Sequence, residues 1–586
     1  MVKRNNKKFF YFLYLLATLI CISTTSFAEN SIRATNGIDK PLPNYTPKLL
    51  KSLDVYASRG ETVGFFLFLK SDSSKKLTAT RFVNQRGRKN GKIKISFFDP
   101  QPIKVDNTNK SFEDAYSGIY YDPLLPYPNS IDINASKKGK WVFVDVEVPS
   151  DVSAGEYNAK IKFGKKALPI KLKVWKMIIP ETPTLPLYGE INPIAVDEGH
   201  YGQWRPMSEV DIDLYKKYIK EIRDHRMYPM RSWPFESLFT PFEAGGENRS
   251  LDLNSTGFYS SMMDGLSKGL KYDFPDMNCH GSPELAPACN VSNLNKDSRR
   301  ISYFNAMEQT VKDYSNRGLV ATAFLWDEPF MNAWMWKTWN DYSRDINPVK
   351  NYYSRVKELV PNVKTVITAP CFTDLAGSVD IFISAPNYME EGYGNFGGRF
   401  GDCAEVQNRG AESWWYVSCM SHGCSVWDTD NNNDEPGTSD FVIERPSSYI
   451  SSIAWLQAKY KFTAFFYYAL VHMYESYPIN AGGIDPWTSV YAHTGQGDGT
   501  LLYPGRAGER GLKVHQPISS VRLKLWRETS FNAEYINWME KLNNKPSWWN
   551  NTFDSMVTSY NRWSKDYQNY FKMKKKMGAY LTNKKL

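Results

Sequence analysis

A chain of 586 residues, 42% apolar and 15% aromatic, is long enough for two or three domains, each with a core of its own. Its formal charge is +10; four of the positive charges (Lys3, Arg4, Lys7, Lys8) lie in the first ten residues, which leaves +6 for the rest. So mild a charge, with no dense Lys/Arg cluster beside an aromatic nucleic-acid motif, excludes nucleic acid as the partner.

Residues 1–28 read as a signal peptide. Lys3, Arg4, Lys7 and Lys8 form the positive region, Phe9 to Ile22 the apolar region, and Ser26-Phe27-Ala28 a small-x-small cleavage site before Glu29. The apolar run is shorter than the roughly 20 residues of a membrane span, and no later segment is apolar enough to cross a bilayer. The expectation is an exported protein, periplasmic or extracellular, with no transmembrane segment after cleavage. Cys21 leaves with the leader. The six remaining cysteines (Cys279, Cys289, Cys371, Cys403, Cys419 and Cys424) suggest disulfides in an oxidising compartment. Cys279 with Cys289 would close a short loop, and Cys403 could pair with Cys419 or Cys424. There is no Cys-x-x-Cys, and His280 and His422 lack a four-ligand set, so no metal is expected.

Residues 29–180 read as a β-sandwich. Tyr157, Ala159, Ile161 and Phe163 alternate with polar neighbours, as do Leu168, Ile170, Leu172 and Val174. Trp141 to Val148 is strand-like, and residues 149–155 carry turn chemistry. After a proline-rich linker at 179–186, strands alternate with helices. Strands are expected at 187–191, 227–232, 319–326, 363–368, 380–384, 413–418 and 463–468, and helices at 208–226, 299–317, 333–360 and 447–461. Repeated β-α units over residues 181–545 fit a (β/α)8 TIM-type barrel, so the fold class is α/β, with a C-terminal helical segment at 546–586. The basic run Lys572 to Lys576 reads as a solvated helix face.

In such a barrel the chemistry sits at the C-terminal ends of the strands. The sharpest case is Phe324-Leu-Trp-Asp-Glu-Pro329, where a buried strand runs into two adjacent carboxylates and then a proline. The bland reading is a pair of solvated loop acids. In an ideal strand Asp327 and Glu328 would face opposite ways, so a shared site needs the backbone to turn at the strand end. Trp326 is the expected aromatic wall that would raise the pKa of an acid. Other strand-end candidates for holding substrate are Glu190, Tyr388, Glu390, Trp415, Tyr416, His472 and Asp498. Each has a plain structural alternative: packing for the tyrosines and tryptophan, a turn for Asp498 between two glycines. Arg522 is expected to anchor the last helix. No dinucleotide turn, P-loop or nucleophile elbow occurs, so no cofactor is implied.

From the linker to about residue 545 the chain resembles glycoside hydrolase family 123 and the related uncharacterised glycoside-hydrolase-like barrels. The likeness is carried by Trp326-Asp-Glu-Pro329, Trp414-Trp-Tyr416, residues 497–505, and Pro517 to Arg527 followed by Asn532-Ala-Glu-Tyr535. The leading sandwich is similar to the one that precedes the barrel in that group. The resemblance implies a retaining β-N-acetylhexosaminidase, β-N-acetylgalactosaminidase-like, acting on an oligosaccharide or glycoconjugate. It implies substrate-assisted catalysis, in which the 2-acetamido oxygen attacks the anomeric carbon. Glu328 would then be general acid and base, and Asp327 would hold the acetamido N–H. Two other readings stand beside it: a hydrolase of a larger bacterial or host glycan, and a non-catalytic glycan-binding envelope protein. A degenerate relative usually loses one acid, and both are present here.

Overall fold

The computed structural model describes residues 30–106, 116–203, 205, 209–229, 271–273, 279–280, 308, 311–312, 315–329, 346–385, 402–417, 438–475, 483–493 and 495–584. The leader, most of the expected 299–317 helix, and Cys289, Cys419 and Cys424 lie outside them. The protein is mixed α/β. It opens with β1 (Ser31–Ala34), β2 (Leu53–Arg59), β3 (Glu61–Lys70), β4 (Lys75–Ala79), β5 (Phe82–Asn84), β6 (Lys89–Asn90), β7 (Lys94–Val105), β8 (Gly118–Pro126), β9 (Ser130–Ile133), β10 (Lys140–Val148), β11 (Gly155–Phe163) and β12 (Lys166–Ile178). They form two sheets, ordered β1-β3-β10-β7-β8 and β2-β12-β11-β4-β9, which share a core that includes Val55, Phe65, Val144, Ile161 and Leu172.

In β11 every second residue from Tyr157 to Phe163 is buried and those between are exposed, the pattern of a sheet with one face in water. In β10 that alternation is lost. Val142, Val144 and Val146 enter the core between the sheets, whereas Phe143 enters the core of the following unit. Asp145 Oδ1 accepts from Arg527 Nη2 at 2.5 Å on that same outer side. The near-continuous apolar run of Trp141 to Val148 thus has a physical cause: both faces of this strand are covered.

The parallel sheet follows: β13 (Leu187–Gly189), β14 (Met227–Pro229), β15 (Lys271–Asp273), β16 (Cys279–His280), β17 (Val320–Asp327), β18 (Lys364–Thr368), β19 (Ile381–Ser384), β20 (Glu412–Tyr416) and β21 (Ala464–Tyr467). Its order is β14-β13-β21-β20-β19-β18-β17-β15, with β16 also on β17, so the first strand lodges beside the last. Among the described residues β14 and β15 are not paired. The sheet curls strongly. Phe324 of β17 stacks on Phe466 of β21 at 6.0 Å although three strands lie between them. Tyr188 of β13 lies flat on Trp414 of β20 across β21, at 4.8 Å and 6°. These rings fill the concave side. Because the strands are parallel, all their C-terminal ends lie along one rim.

The helix Val521–Glu540 joins the two units. Ser520 caps it, accepting from Leu523 N at 3.0 Å, and residues 521–536 are all buried. Its charges are paired rather than solvated. Burial alone would push the Asp145 carboxyl up, but Arg527 and Lys524 hold it below its usual value. Arg226 Nη2 meets Glu534 at 2.6 Å, and Tyr535 OH donates to Glu61 at 2.6 Å. The final segment is less uniformly helical than expected: the helices Trp549–Met556 and Tyr567–Leu581 flank a short hairpin at 557–563. Of the basic run, Lys574 is buried on Glu61 rather than solvated. Among the described residues no helix is long and apolar enough to cross a membrane.

Asp39 offers a pH-dependent test of this interface. It is 4% exposed and accepts from Gln568 Nε2 at 2.8 Å and Tyr45 OH at 3.0 Å. Burial pushes its carboxyl from 3.8 up to about 6. A carboxyl raised in the folded state takes up a proton on folding. Its contribution is therefore full below about pH 4 and lost as pH rises through about 6. Asp39→Asn is expected to stabilise the protein above that window by up to about 3 kcal/mol and to be neutral below it. Thermal midpoints on the two sides of the window check this.

Candidate active site

The site begins with an irregularity in β17. Phe324 pairs with Val366, but Trp326 pairs with the next residue, Ile367, so Leu325 is an extra residue in the ladder. Strict alternation would put Phe324 and Trp326 on one face. The bulge instead turns Trp326 to the convex side, where it is 1% exposed and packs edge-on against Tyr352 at 5.9 Å. Tyr352 belongs to the helix Asn347–Leu359, which covers that side. Alternation then sends Asp327, half-buried, toward the concave side. Glu328 follows with φ 49°, in the left-handed region that residues with a Cβ rarely adopt. The turn allows two consecutive acids to share one side.

Glu328 Oε1 accepts a hydrogen bond from Tyr416 OH at 2.9 Å. Tyr416 ends β20 in register with Phe466, one of the rings on the concave side. Two strands separate β17 from β20, so this bond crosses the curled sheet at its rim. A carboxylate, a phenol donor and a second carboxylate are chemically suited to proton transfer at a bound substrate. A strained backbone at such a place is common in functional sites, where the surroundings hold it.

The other expected site residues separate. Trp326 is not a wall beside Glu328, for the reason just given. Trp415 is fully buried on the convex side, stacked on Phe462 at 5.7 Å, and its indole N–H donates to Gln457 at 3.2 Å. It therefore offers no ring face to a ligand. Asp498 is 2% exposed in a turn between Gly497 and Gly499, and accepts from Tyr467 OH at 3.3 Å. Both glycines have positive φ, 85° and 67°. Glu190 is half-buried at the end of β13, on the same rim; its backbone N–H donates to Tyr467 O at 3.3 Å. His472 lies just past β21, half-buried, with its pKa lowered by burial and then by His493. Tyr388 and Glu390 lie outside the described residues. Cys403 pairs with Cys371, and not with Cys419 or Cys424. The loop after β18 brings Cys371 beside the start of the helix Cys403–Asn408, where Cys371 O accepts from Asp402 N at 3.0 Å, and linear spacing carries no sign of this.

Sequence reasoning passed over Tyr468 and His493. Tyr468 was legible in principle, two residues after Phe466 in an alternating strand. His493 has no linear signal, because a hairpin distant from the strand in sequence carries it.

The whole architecture has a counterpart among solved structures. A family 123 glycoside hydrolase from Clostridium perfringens superposes with a TM-score of 0.57, covering 94% of this chain and 97% of that one. The chain is similar in fold to that enzyme. Identity is 12%, so the likeness is one of fold. A second structure, described as a glycoside hydrolase, covers 59% of this chain and 99% of its own at 11% identity, with a TM-score of 0.27, too low to carry an argument. No protein-family model and no curated protein matches the sequence.

Proposed function

We propose that this protein is an exported, retaining β-N-acetylhexosaminidase, β-N-acetylgalactosaminidase-like, that removes a terminal sugar from a glycan. In this reading residues 29–180 are a β-sandwich, 181–545 a (β/α)8 barrel and 546–586 a helical tail. The observation that carries it is the bond from Tyr416 to Glu328 at the rim, directly after the left-handed turn that follows Asp327. The fold likeness to a family 123 enzyme studied for glycolipid glycan hydrolysis supports the substrate class. The Cys371–Cys403 disulfide is in keeping with an oxidising compartment.

The mechanism follows from the residue types. The acetamido oxygen of the bound sugar attacks C1 as the bond from C1 to the leaving oxygen breaks, and Glu328 gives its proton to that oxygen. Asp327 accepts the acetamido N–H and so stabilises the charge that develops on the oxazoline ring. Water then adds to C1 from the vacated side, its proton returning to Glu328, and the configuration is retained. Tyr416 is a positioning residue that holds Glu328 toward the substrate.

The test is hydrolysis of p-nitrophenyl β-N-acetylgalactosaminide and its glucosaminide counterpart, with inhibition by a thiazoline mimic of the oxazoline. Turnover of neither glycoside would sink the proposal. Tyr416→Phe is expected to lower kcat about tenfold with KM little changed, as befits one hydrogen bond to a carboxyl that gains charge as it gives up its proton, worth ~1.5 kcal/mol. A change in KM alone would move Tyr416 from positioning to substrate binding.

A further inference from the structure

Beyond the end of β21 the surface sinks into a cavity of about 380 Å³, within the roughly 300–1,000 Å³ range of small-molecule clefts. Its walls come from His472 and Met473, from Ile484, and from Tyr491 and His493 of the hairpin formed by β22 (Tyr491–Ala492) and β23 (Gly495–Gln496). The two imidazoles stack at 5.3 Å and 19°. Tyr468 touches both, with centroids at 5.8 Å and 6.0 Å. Tyr468 immediately follows β21, which pairs with β20, the strand whose Tyr416 donates to Glu328.

Three further observations mark the cavity as more than a packing gap. Ile484 and Tyr491 are 51% and 43% exposed, so apolar and aromatic surface lines an open wall. His493 has φ 45°, a conformation costing about 1–2 kcal/mol for a residue with a Cβ, at a turn that glycine or asparagine would fill without strain. Gly499 lets the walls close: a Cβ there would lie 2.6 Å from Tyr468 OH and 2.8 Å from His472 Cβ. Among the described lining residues there is no Lys, Arg, Asp or Glu. Burial, then His493, holds His472 below its usual 6.5, so it is neutral at neutral pH and presents one donor and one acceptor.

We propose that this cavity binds a neutral hexopyranose, the sugar next to the one whose bond is cleaved. An aromatic and an aliphatic wall suit the C–H face of such a ring, and the neutral imidazole of His472 suits its hydroxyls. The absence of a cation among the described lining residues argues against a sialylated or sulfated sugar. The proposal rests on the exo-hydrolase reading, under which the second ring belongs to the leaving group.

The experiment compares kcat/KM on p-nitrophenyl β-N-acetylgalactosaminide with that on a trisaccharide ending in β-linked N-acetylgalactosamine, for the wild type, Tyr491→Ala and His493→Gly. The glycine relieves the backbone strain while removing the imidazole, so a folding defect is not expected from it. The trisaccharide value should fall about tenfold in each variant, through KM, the equivalent of ~1.4 kcal/mol of binding, while the aryl glycoside value stays within about twofold. An equal loss on both substrates, or no loss on either, overturns the proposal. Calorimetry of the trisaccharide on Glu328→Gln, with and without Tyr491→Ala, separates the two readings. A tenfold weaker Kd in the double variant supports the sugar site even where the wild type cleaves neither substrate; an unchanged Kd overturns it.

Discussion

Glu328→Gln is expected to lower kcat by about 10³-fold on a disaccharide whose leaving group is a sugar alcohol, within the range for loss of a general acid. An alcohol leaves poorly as an alkoxide, so its oxygen must be protonated as the bond breaks, and the amide has no proton to give. The loss should be far smaller on a dinitrophenyl glycoside, whose leaving phenolate needs no protonation. This contrast separates acid catalysis from a general collapse of the site. The bond from Tyr416 to Glu328 at 2.9 Å survives chemically in the variant, since the amide oxygen still accepts, so the geometry at the rim should be kept. Asp327→Asn should slow both leaving groups alike, because its role lies with the acetamido group. Comparable losses for Glu328→Gln on both substrates would remove the proton-transfer role.

Arg522→Met is expected to destabilise the protein by about 3–5 kcal/mol, the cost of stranding one partner of a buried ion pair. Arg522 is fully buried, with Nη2 on Asp122 Oδ2 at 2.8 Å, and Asp122 belongs to β8 of the first unit. Its Nε also donates to Asp122 at 3.1 Å, and its other N–H groups reach the carbonyl oxygens of Phe441 at 2.9 Å, Gly497 at 2.6 Å and Thr500 at 2.5 Å. A Cβ on Gly497 would lie 2.6 Å from the guanidinium carbon, so the turn and the arginine are fitted to each other. Methionine keeps an unbranched apolar stem but leaves a carboxylate and three carbonyls without these donors. The same turn holds His472, whose N–H donates to Gly499 O at 2.9 Å. The variant should therefore weaken the wall of the second sugar cavity as well as lower the thermal midpoint. Lysine should recover little, because one ammonium cannot match the five N–H groups of the guanidinium. A midpoint unchanged in Arg522→Met would show that the two units do not depend on this junction.

Much of the fold was legible because periodicity is a local property. The expected strands at 319–326, 363–368, 380–384, 413–418 and 463–468 correspond to β17 to β21 within a few residues. Each is a short apolar run closed by polar or turn residues. The expected helix at 447–461 is divided at Ser452, a break that propensity alone does not signal. The long helix Val521–Glu540 was the hardest to read for burial. It carries Arg522, Lys524, Arg527 and Glu534, charges that look solvated in sequence and are buried on acids or bases hundreds of positions away, and Glu528, buried where it accepts from Tyr567 OH.

The site shows the same division. The sequence by itself determined that two carboxylates end a buried strand, on the C-terminal rim of the parallel sheet. That much depends only on residue order and the alternation of apolar segments. Which aromatic stands beside them was decided by tertiary structure. The Trp326 nearest in sequence was turned away by one extra residue in β17, while Tyr416, 88 positions on, reaches Glu328 because the sheet curls. The direction of a side chain at a bulge and the approach of distant strands depend on hydrogen-bond register and sheet curvature. Neither is encoded in the spacing of residues along the chain.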